Sequence, residues 1–90
     1  MTINEKYDKR VNLCRKLRTL EDAIENITND RSKYNQYTGN KKATLSIYVE
    51  GGTIQYELSD EVADICLGTI IADYRMKKDD IIHTLKQELI

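Results

Sequence analysis

Residues 44–59 read TLSIYVEGGTIQYELS and decide the fold, because apolar and polar residues alternate on both sides of a Gly-Gly pair. Alternation with a period of two is typical of a β-strand, and adjacent glycines permit a two-residue turn with positive φ. The stretch therefore predicts a β-hairpin with its turn at residues 51–52. The register that follows pairs Glu50 with Thr53, Val49 with Ile54, Ile47 with Tyr56 and Leu45 with Leu58. It places every large aliphatic side chain of the hairpin on one face and Tyr48 at the centre of the other.

Before the hairpin, residues 2–35 predict one long amphipathic helix. Apolar residues recur there at helical spacing, and neither Pro nor Gly interrupts the segment. The stripe consists of Leu13, Leu17, Leu20, Ile24, Ile27 and Tyr34, with Arg31 occupying one step. A second row of Tyr7, Val11 and Cys14 widens the stripe near its start.

After the hairpin, residues 60–89 predict a second long helix. Ser59 is a typical N-cap, and Asp60 and Glu61 place negative charge in the first turn, where the helix dipole favours it. The first half of this helix is apolar almost all round, whereas the second half keeps a narrower stripe of Ile81, Ile82, Leu85 and Leu89. Gly68 is costly in the middle of a helix, which suggests that another backbone passes close by.

The predicted architecture is a single α+β domain over residues 1–90, in the order helix, strand, strand, helix. A basic linker over residues 36–43 joins the first helix to a hairpin at 44–59. Two helices of this length span about 42 Å, whereas the strands reach only about 23 Å. One hairpin therefore cannot cover both helix stripes, and we expect a homo-oligomer, at least a dimer, built as a helical bundle or coiled coil.

The charge balance excludes two classes of protein. The chain has 14 basic and 15 acidic residues, so it is neither a strongly basic nucleic-acid coating protein nor a strongly acidic DNA mimic. Most of the basic residues lie in residues 1–42 and most of the acidic ones in residues 43–90. We expect part of this division to pair the first helix with the second helix of its own or another chain. A near-neutral total fits a small anionic ligand better than a long polyanion.

The cysteines and the apolar runs indicate the cellular location of the protein. Cys14 and Cys66 lie far apart in apolar helical stretches, where they are expected as buried free thiols. The charged residues after Met1 are not typical of a signal peptide. The longest apolar run, residues 65–72, is much shorter than the roughly 20 residues of a membrane span. We therefore expect a cytoplasmic location and no membrane partner.

No strong catalytic motif is present, so we expect a non-enzymatic protein without a cofactor or metal. His83 has Asp79 and Asp80 four and three residues before it, which makes a metal or acid–base cluster conceivable. The alternative is a solvent-facing histidine beside two surface acids, since no third ligand is evident. Cys14 and Cys66 lie in apolar stripes without a positioned base, which argues against covalent chemistry.

Two basic clusters are candidates for ligand binding. In the first, over residues 31–42, cations alternate with aromatic and amide groups that could hold a phosphate and stack a base. Its members are Arg31, Lys33, Lys41 and Lys42 with Tyr34, Asn35, Tyr37 and Asn40. The second consists of Arg75, Lys77 and Lys78 beside Tyr74. The alternatives are a flexible polar connection and a solvated helix face. An oligomer could bring one cluster against the other to form a pocket between subunits, and the polar hairpin face around Tyr48 is a third candidate surface.

This element order, in a chain rich in Lys, Asn and Ile without Pro or Trp, resembles the small accessory proteins that phages of low-GC hosts use against bacterial defences. It is similar in outline to the oligomeric sponge proteins of the Thoeris anti-defence kind, which sequester nucleotide signalling molecules without cleaving them. The resemblance implies that cations of the second helix meet aromatic and amide groups from the hairpin region of an adjoining subunit. The residues that match by position and type are Arg75, Lys78, Tyr48 and Asn40. Anti-CRISPR inhibitors of similar size and content are a rival resemblance.

The function we expect is that of a phage-type anti-defence protein that binds and sequesters a nucleotide-derived immune signal in pockets between subunits. The predicted ligand-binding residues are Tyr37, Asn40, Lys41, Lys42, Tyr48, Arg75 and Lys78. One alternative is an inhibitor or adaptor that binds a host defence protein through the hairpin face or an exposed helix stripe. Another is a structural bundle subunit of a larger phage or cell assembly.

Overall fold

The computed structural model describes residues 2–88 and has the predicted helix–strand–strand–helix order. Helix α1 spans Ile3–Gln36, strand β1 Ala43–Val49, strand β2 Gly52–Leu58 and helix α2 Asp60–Glu88. The α+β architecture of two long helices and a two-stranded antiparallel hairpin is therefore confirmed. Leu89, the last residue of the predicted α2 stripe, lies outside the described residues.

Helix α1 begins with a capping box at Thr2. The backbone N–H of Glu5 donates to Thr2 Oγ1 at 3.2 Å, and the backbone N–H of Thr2 donates to Glu5 Oε2 at 3.2 Å. These two bonds satisfy backbone donors that the first turn of a helix leaves unpaired. The helix ends at Gln36, where Tyr37 adopts an extended backbone conformation.

The hairpin register differs from the predicted one by two residues. Val49 pairs with Gly52 and Ile47 with Ile54, so the turn lies at Glu50 and Gly51. Only Gly51 has a positive φ, of 95°. In this turn only the second of the two central residues, Gly51, needs a positive φ. The first can therefore be Glu50, and Gly52 joins strand β2. Because the side-chain period of a strand is two, this shift leaves the predicted sorting of the two faces intact.

The predicted α1 stripe faces α2 and is half-buried along its length. Its members are Leu13, Leu17, Leu20, Ile24, Ile27, Arg31 and Tyr34. The second row is different, because Tyr7 and Cys14 are exposed. The expectation of a buried thiol is therefore wrong for Cys14, which is exposed at the edge of the α1 stripe. Cys66 is half-buried, and both thiols are free.

The close neighbour of Gly68 is a side chain and not the backbone that we predicted. A Cβ atom at this position would lie 3.1 Å from two nitrogens of the Arg31 guanidinium group. The glycine therefore makes room for an arginine that crosses from α1.

The molecule is extended and thin. Its radius of gyration is 18.1 Å, whereas a compact domain of this length has about 12 Å. The principal extents are 56 × 36 × 14 Å. Among residues 2–88 only Ala63 and Ile71 are buried. The hairpin meets α2 at its base, where Leu45 and Leu58 line a cleft of about 340 Å³.

The apolar face of the hairpin is consequently uncovered over most of its length. The exposed fractions are 41% for Leu45, 43% for Ile47, 50% for Val49, 42% for Ile54 and 61% for Tyr56. One hairpin and one helix pair thus leave a large apolar surface in contact with solvent.

Candidate ligand-binding site

The last turns of α1 bind the start of α2 through polar side chains. Arg31 Nε and Nη2 donate to Asp64 Oδ1 and Oδ2 at 2.7 and 3.0 Å, and Asn35 Nδ2 donates to Asp64 Oδ1 at 2.8 Å. The Tyr34 hydroxyl donates to Asp60 Oδ1 at 2.7 Å, and this hydrogen bond is the main reason that the pKa of Tyr34 is raised. Three members of the first basic cluster therefore hold the helices together.

Lys41 lies over the same end of the helix pair. Its Nζ donates to the Tyr34 carbonyl oxygen at 2.8 Å and lies 4.4 Å from the centre of the Tyr34 ring. Asp60 Oδ2 is 3.9 Å away, and 19% of the Lys41 side chain is exposed. These contacts fix the linker between α1 and β1 against both helices.

The rest of the linker is open to solvent. Tyr37 and Asn40 are exposed, and Lys42 Nζ lies 2.7 Å from Glu57 Oε1 on the neighbouring strand. A Cβ atom at Gly39 would lie 2.9 Å from the Tyr37 hydroxyl, so the glycine allows the Tyr37 ring to fold over the linker. Tyr37, Asn40 and Lys42 thus present one aromatic, one amide and one cationic group beside each other in sequence.

The second basic cluster lies in the middle of α2. Lys78 Nζ is 3.8 Å from Glu21 Oε1 on α1. Lys77 Nζ is 2.8 Å from Asp73 Oδ2, and this hydrogen bond is the main cause of the raised pKa of Lys77. Arg75 is exposed and forms no ion pair within residues 2–88. Arg75 is therefore the cation of this cluster that is open to a ligand or another chain.

The predicted site residues do not converge within one chain. The helical rise separates Asp60, beside the linker, from Arg75 by about 22 Å along α2. Tyr48 lies near the hairpin tip and is 82% exposed. A pocket that used both the linker residues and Arg75 would therefore take residues from two copies of the chain.

His83 lies on the same helix beyond this cluster. Its Nε2 is 3.1 Å from Gln87 Nε2. Over the described range 2–88, no three His, Cys, Asp or Glu side chains are grouped closely enough to hold a metal ion.

An arginine-rich face of α1 was missed by sequence reasoning. Tyr7, Arg10, Cys14, Arg15 and Arg18 line a shallow groove of about 510 Å³, together with Val11. The charge division predicts that part of the positive charge of the first helix pairs with the second helix of the same or another chain. Arg15 and Arg18 instead form no ion pair in the described part of the chain. The available signal was the helical spacing of Tyr7, Arg10, Cys14 and Arg18, since the acid nearest to them in sequence, Asp8, is not at one of these positions.

Neither helix has a segment within residues 2–88 that is apolar over the length needed to cross a bilayer. The chain matches no family model, no curated protein and no solved structure.

Proposed function

We propose that the protein is a non-catalytic homo-oligomer that sequesters a small phosphate-bearing ligand, of the nucleotide-signal kind, between its subunits. The observation that carries this proposal is that the chain exposes far more surface than a compact protein of its mass. The chain exposes 7380 Å², whereas a compact monomer of 10.5 kDa exposes about 5,400 Å². The excess of roughly 2,000 Å² per chain is in the range that obligate homodimers bury.

The chemistry of the exposed groups supports an anionic ligand. Tyr37, Asn40 and Lys42 at the linker and Arg75 on α2 offer a ring, an amide and two cations. A guanidinium group forms paired hydrogen bonds to phosphate, and an aromatic ring stacks on a nucleobase. Tyr48 and Lys78 belong to the proposed set as a further aromatic ring and a further cation, although Lys78 lies 3.8 Å from Glu21 in the same chain. Lys41 belongs to it as the residue that holds the linker against both helices.

Native mass spectrometry of protein purified from cells tests the subunit count and any retained ligand together. Calorimetry with cyclic dinucleotides and cyclic ADP-ribose isomers then tests binding. Ligand recovered intact after heat denaturation indicates sequestration, whereas a cleaved product would contradict the proposal. A protein that binds none of these compounds would also contradict it.

Matched variants locate the binding residues. Arg75→Ala and Tyr37→Ala are expected to weaken binding at least tenfold, since each removes a charge-assisted contact or a stacking surface. Lys86→Ala removes an exposed cation in the last turn of α2 and is the control. Equal effects of Arg75→Ala and Lys86→Ala would show that net charge alone attracts the ligand.

A second candidate function is inhibition of a host defence protein through the hairpin. The observation that favours it is the exposure of both hairpin faces, including Tyr48 and Ile47. A two-stranded sheet with free edges and an uncovered apolar face is suited to pairing with another protein. In this case Tyr48→Ala and Gln55→Ala would weaken capture of the host protein and Arg75→Ala would not. If the protein instead binds a small ligand, Arg75→Ala is expected to weaken ligand binding more than Tyr48→Ala or Gln55→Ala does.

A further inference from the structure

Helix α2 has a second apolar stripe that does not face α1. Its members recur at alternating steps of three and four residues, the spacing of a coiled-coil seam. They are Val62, Ile65, Thr69, Ala72 and Met76. All five are exposed, with fractions of 43% for Val62, 64% for Ile65 and 69% for Met76.

The position of this stripe follows from the residues that face α1. Asp64, Ile71 and Lys78 point towards α1, since Asp64 binds Arg31, Ile71 is buried and Lys78 approaches Glu21. At 100° per residue, Thr69 lies on the opposite side of α2 from Ile71 and Lys78. The stripe is therefore an outer seam that the fold of a single chain does not cover.

Opposite charges flank this seam at its two ends. Glu61 and Arg75 are two heptads apart, so they lie on the same side of the stripe. Neither forms an ion pair within residues 2–88. Gly68 lies midway between them, where the Arg31 side chain from α1 crosses, and the small residues Thr69 and Ala72 lie at the centre of the stripe itself. The seam thus has an acidic end, a centre of small residues and a basic end.

We propose that a second copy of the chain packs antiparallel on this stripe, across a two-fold axis at Thr69. This arrangement places Val62 opposite Met76 of the second copy. It also brings Glu61 beside Arg75 of the second copy, and symmetry repeats both contacts. A parallel arrangement would put the Glu61 and Arg75 flanks of the two copies on opposite sides of the contact, where they could not pair, so this pairing selects the antiparallel one.

The size of the seam fits this occupant. Residues 62–76 extend for about 21 Å, and a helix seam of this length contributes to the roughly 2,000 Å² that the chain leaves uncovered relative to a compact monomer. Thr69 and Ala72 at the centre are small, which permits close approach of two helices. The exposed hairpin face lies beside the same half of α2 and adds apolar area at the edge of the contact.

The arrangement deepens the proposed function and rests on its oligomeric part. The second copy brings its Arg75 to the level of Ala63, one turn from Asp60, where Lys41 and the linker lie. One phosphate ligand could then contact Arg75 of one copy and Tyr37 or Asn40 of the other. A guanidinium group has five donors, so Arg75 can pair with Glu61 and still bind a phosphate oxygen.

Cysteine cross-linking of the full chain tests the geometry. Cys14 and Cys66 are first replaced by Ser, and circular dichroism checks that the background variant keeps its helices. Thr69→Cys is then expected to form a disulfide-linked dimer on mild oxidation. His83→Cys is the matched control on the same stripe, because the antiparallel arrangement separates the two copies of residue 83 by about 42 Å. His83→Cys is expected to stay unlinked.

The cross-linking results distinguish the possible arrangements of the subunits. If both variants form self-linked dimers, the helices are parallel and the proposal is overturned. If neither does while native mass spectrometry reports an oligomer, the subunits meet elsewhere, so this inference fails and the proposed function stands. A monomer at micromolar concentration overturns both. Efficient linking at residue 69 without any ligand binding overturns the proposed function alone.

Charge reversal supplies an independent readout. Glu61→Arg is expected to raise the dissociation constant of the dimer roughly fivefold, since it replaces two attractive pairs by two repulsive ones. Glu61→Arg combined with Arg75→Glu restores both pairs and is expected to recover the original dissociation constant. A double variant as weak as the single one would contradict the proposed pairing.

Discussion

Arg31 and Asp64 join α1 to α2 through two parallel hydrogen bonds of 2.7 and 3.0 Å between a guanidinium group and a carboxylate. The hydrogen bond from Arg31 is the largest cause of the strongly lowered pKa of Asp64, and the one from Asn35 is the next. The same contact raises the pKa of Arg31. An arginine in an otherwise apolar stripe thus gives the helix pair a fixed register at one end, and Lys9 with Glu88 provides an ion pair of 2.6 Å at the other.

Acid is expected to weaken the helix pair. The folded-state pKa of Asp64 lies well below its usual value of 3.8, and the pKa of Glu88 is lowered mainly by its hydrogen bond from Lys9. Both carboxylates therefore contribute stability that is fully present above their unfolded pKa values and is lost as the pH falls through the folded ones. Chemical denaturation between neutral pH and about pH 3 measures this loss.

Asp64→Asn isolates the contribution of one carboxylate. The variant should be less stable than the parent protein at neutral pH, and the difference should shrink below about pH 4, where Asp64 of the unfolded parent binds a proton while the folded carboxylate stays ionised. Asp79→Asn removes an exposed carboxylate that has no ion pair within residues 2–88 and is the matched control. A pH-independent difference between parent and Asp64→Asn would mean that the charge is not what matters.

Gly68→Ala tests the close approach of Arg31. Alanine favours a helix interior by about 1 kcal/mol over glycine, but the new Cβ atom would lie 3.1 Å from a guanidinium group that Asp64 holds in place. We expect the substitution to stabilise the Arg31→Ala variant by about 1 kcal/mol and to give no such gain in the parent protein. Thermal denaturation at one fixed protein concentration compares the four proteins. Equal gains in both backgrounds would contradict the contact.

Substitutions at two isoleucines of α2 test the core and the outer seam independently. Ile71 is 5% exposed, and Ile71→Ala is expected to cost about 2–4 kcal/mol of unfolding free energy. Ile65 is 64% exposed in the single chain. Ile65→Ala should leave the secondary structure intact and lower the fraction of oligomer, as measured by sedimentation over a range of concentrations. An Ile65→Ala protein with unchanged association would remove this residue from the subunit contact.

Gly51 in the turn and Gly52 in β2 should respond differently to alanine. Gly51 has a φ of 95°, a conformation that costs an L-residue roughly 1–2 kcal/mol, whereas Gly52 lies in β2 without a positive φ. Gly51→Ala is therefore expected to lower the unfolding free energy by about that amount, and Gly52→Ala by much less. Nothing lies within 4 Å of the added Cβ atom at either position, so backbone strain is the main difference. A larger loss for Gly52→Ala would support the register that the Gly-Gly pair first suggested.

The candidate site was predictable only in part. Tyr37, Asn40 and Arg75 are exposed, as a binding role requires, whereas Lys41 is held by Tyr34 and Asp60. Composition could not distinguish these cases, because a cation bound within the protein and a cation open to a ligand have the same local sequence. The difference arises from residues that are distant in the chain and close in the fold.

Local patterns in the sequence determined the secondary structure of this protein. Period-two alternation around residues 51–52, helical spacing before and after it, and the cap at Thr2 each act over a few residues, so a reader of the sequence can find them. The tertiary structure decided the pairing of Val49 with Gly52, the contact of Arg31 with Asp64 and the exposure of the outer α2 seam. These depend on which turn conformation the chain adopts and on how two helices rotate about each other, and both are set by contacts between distant residues.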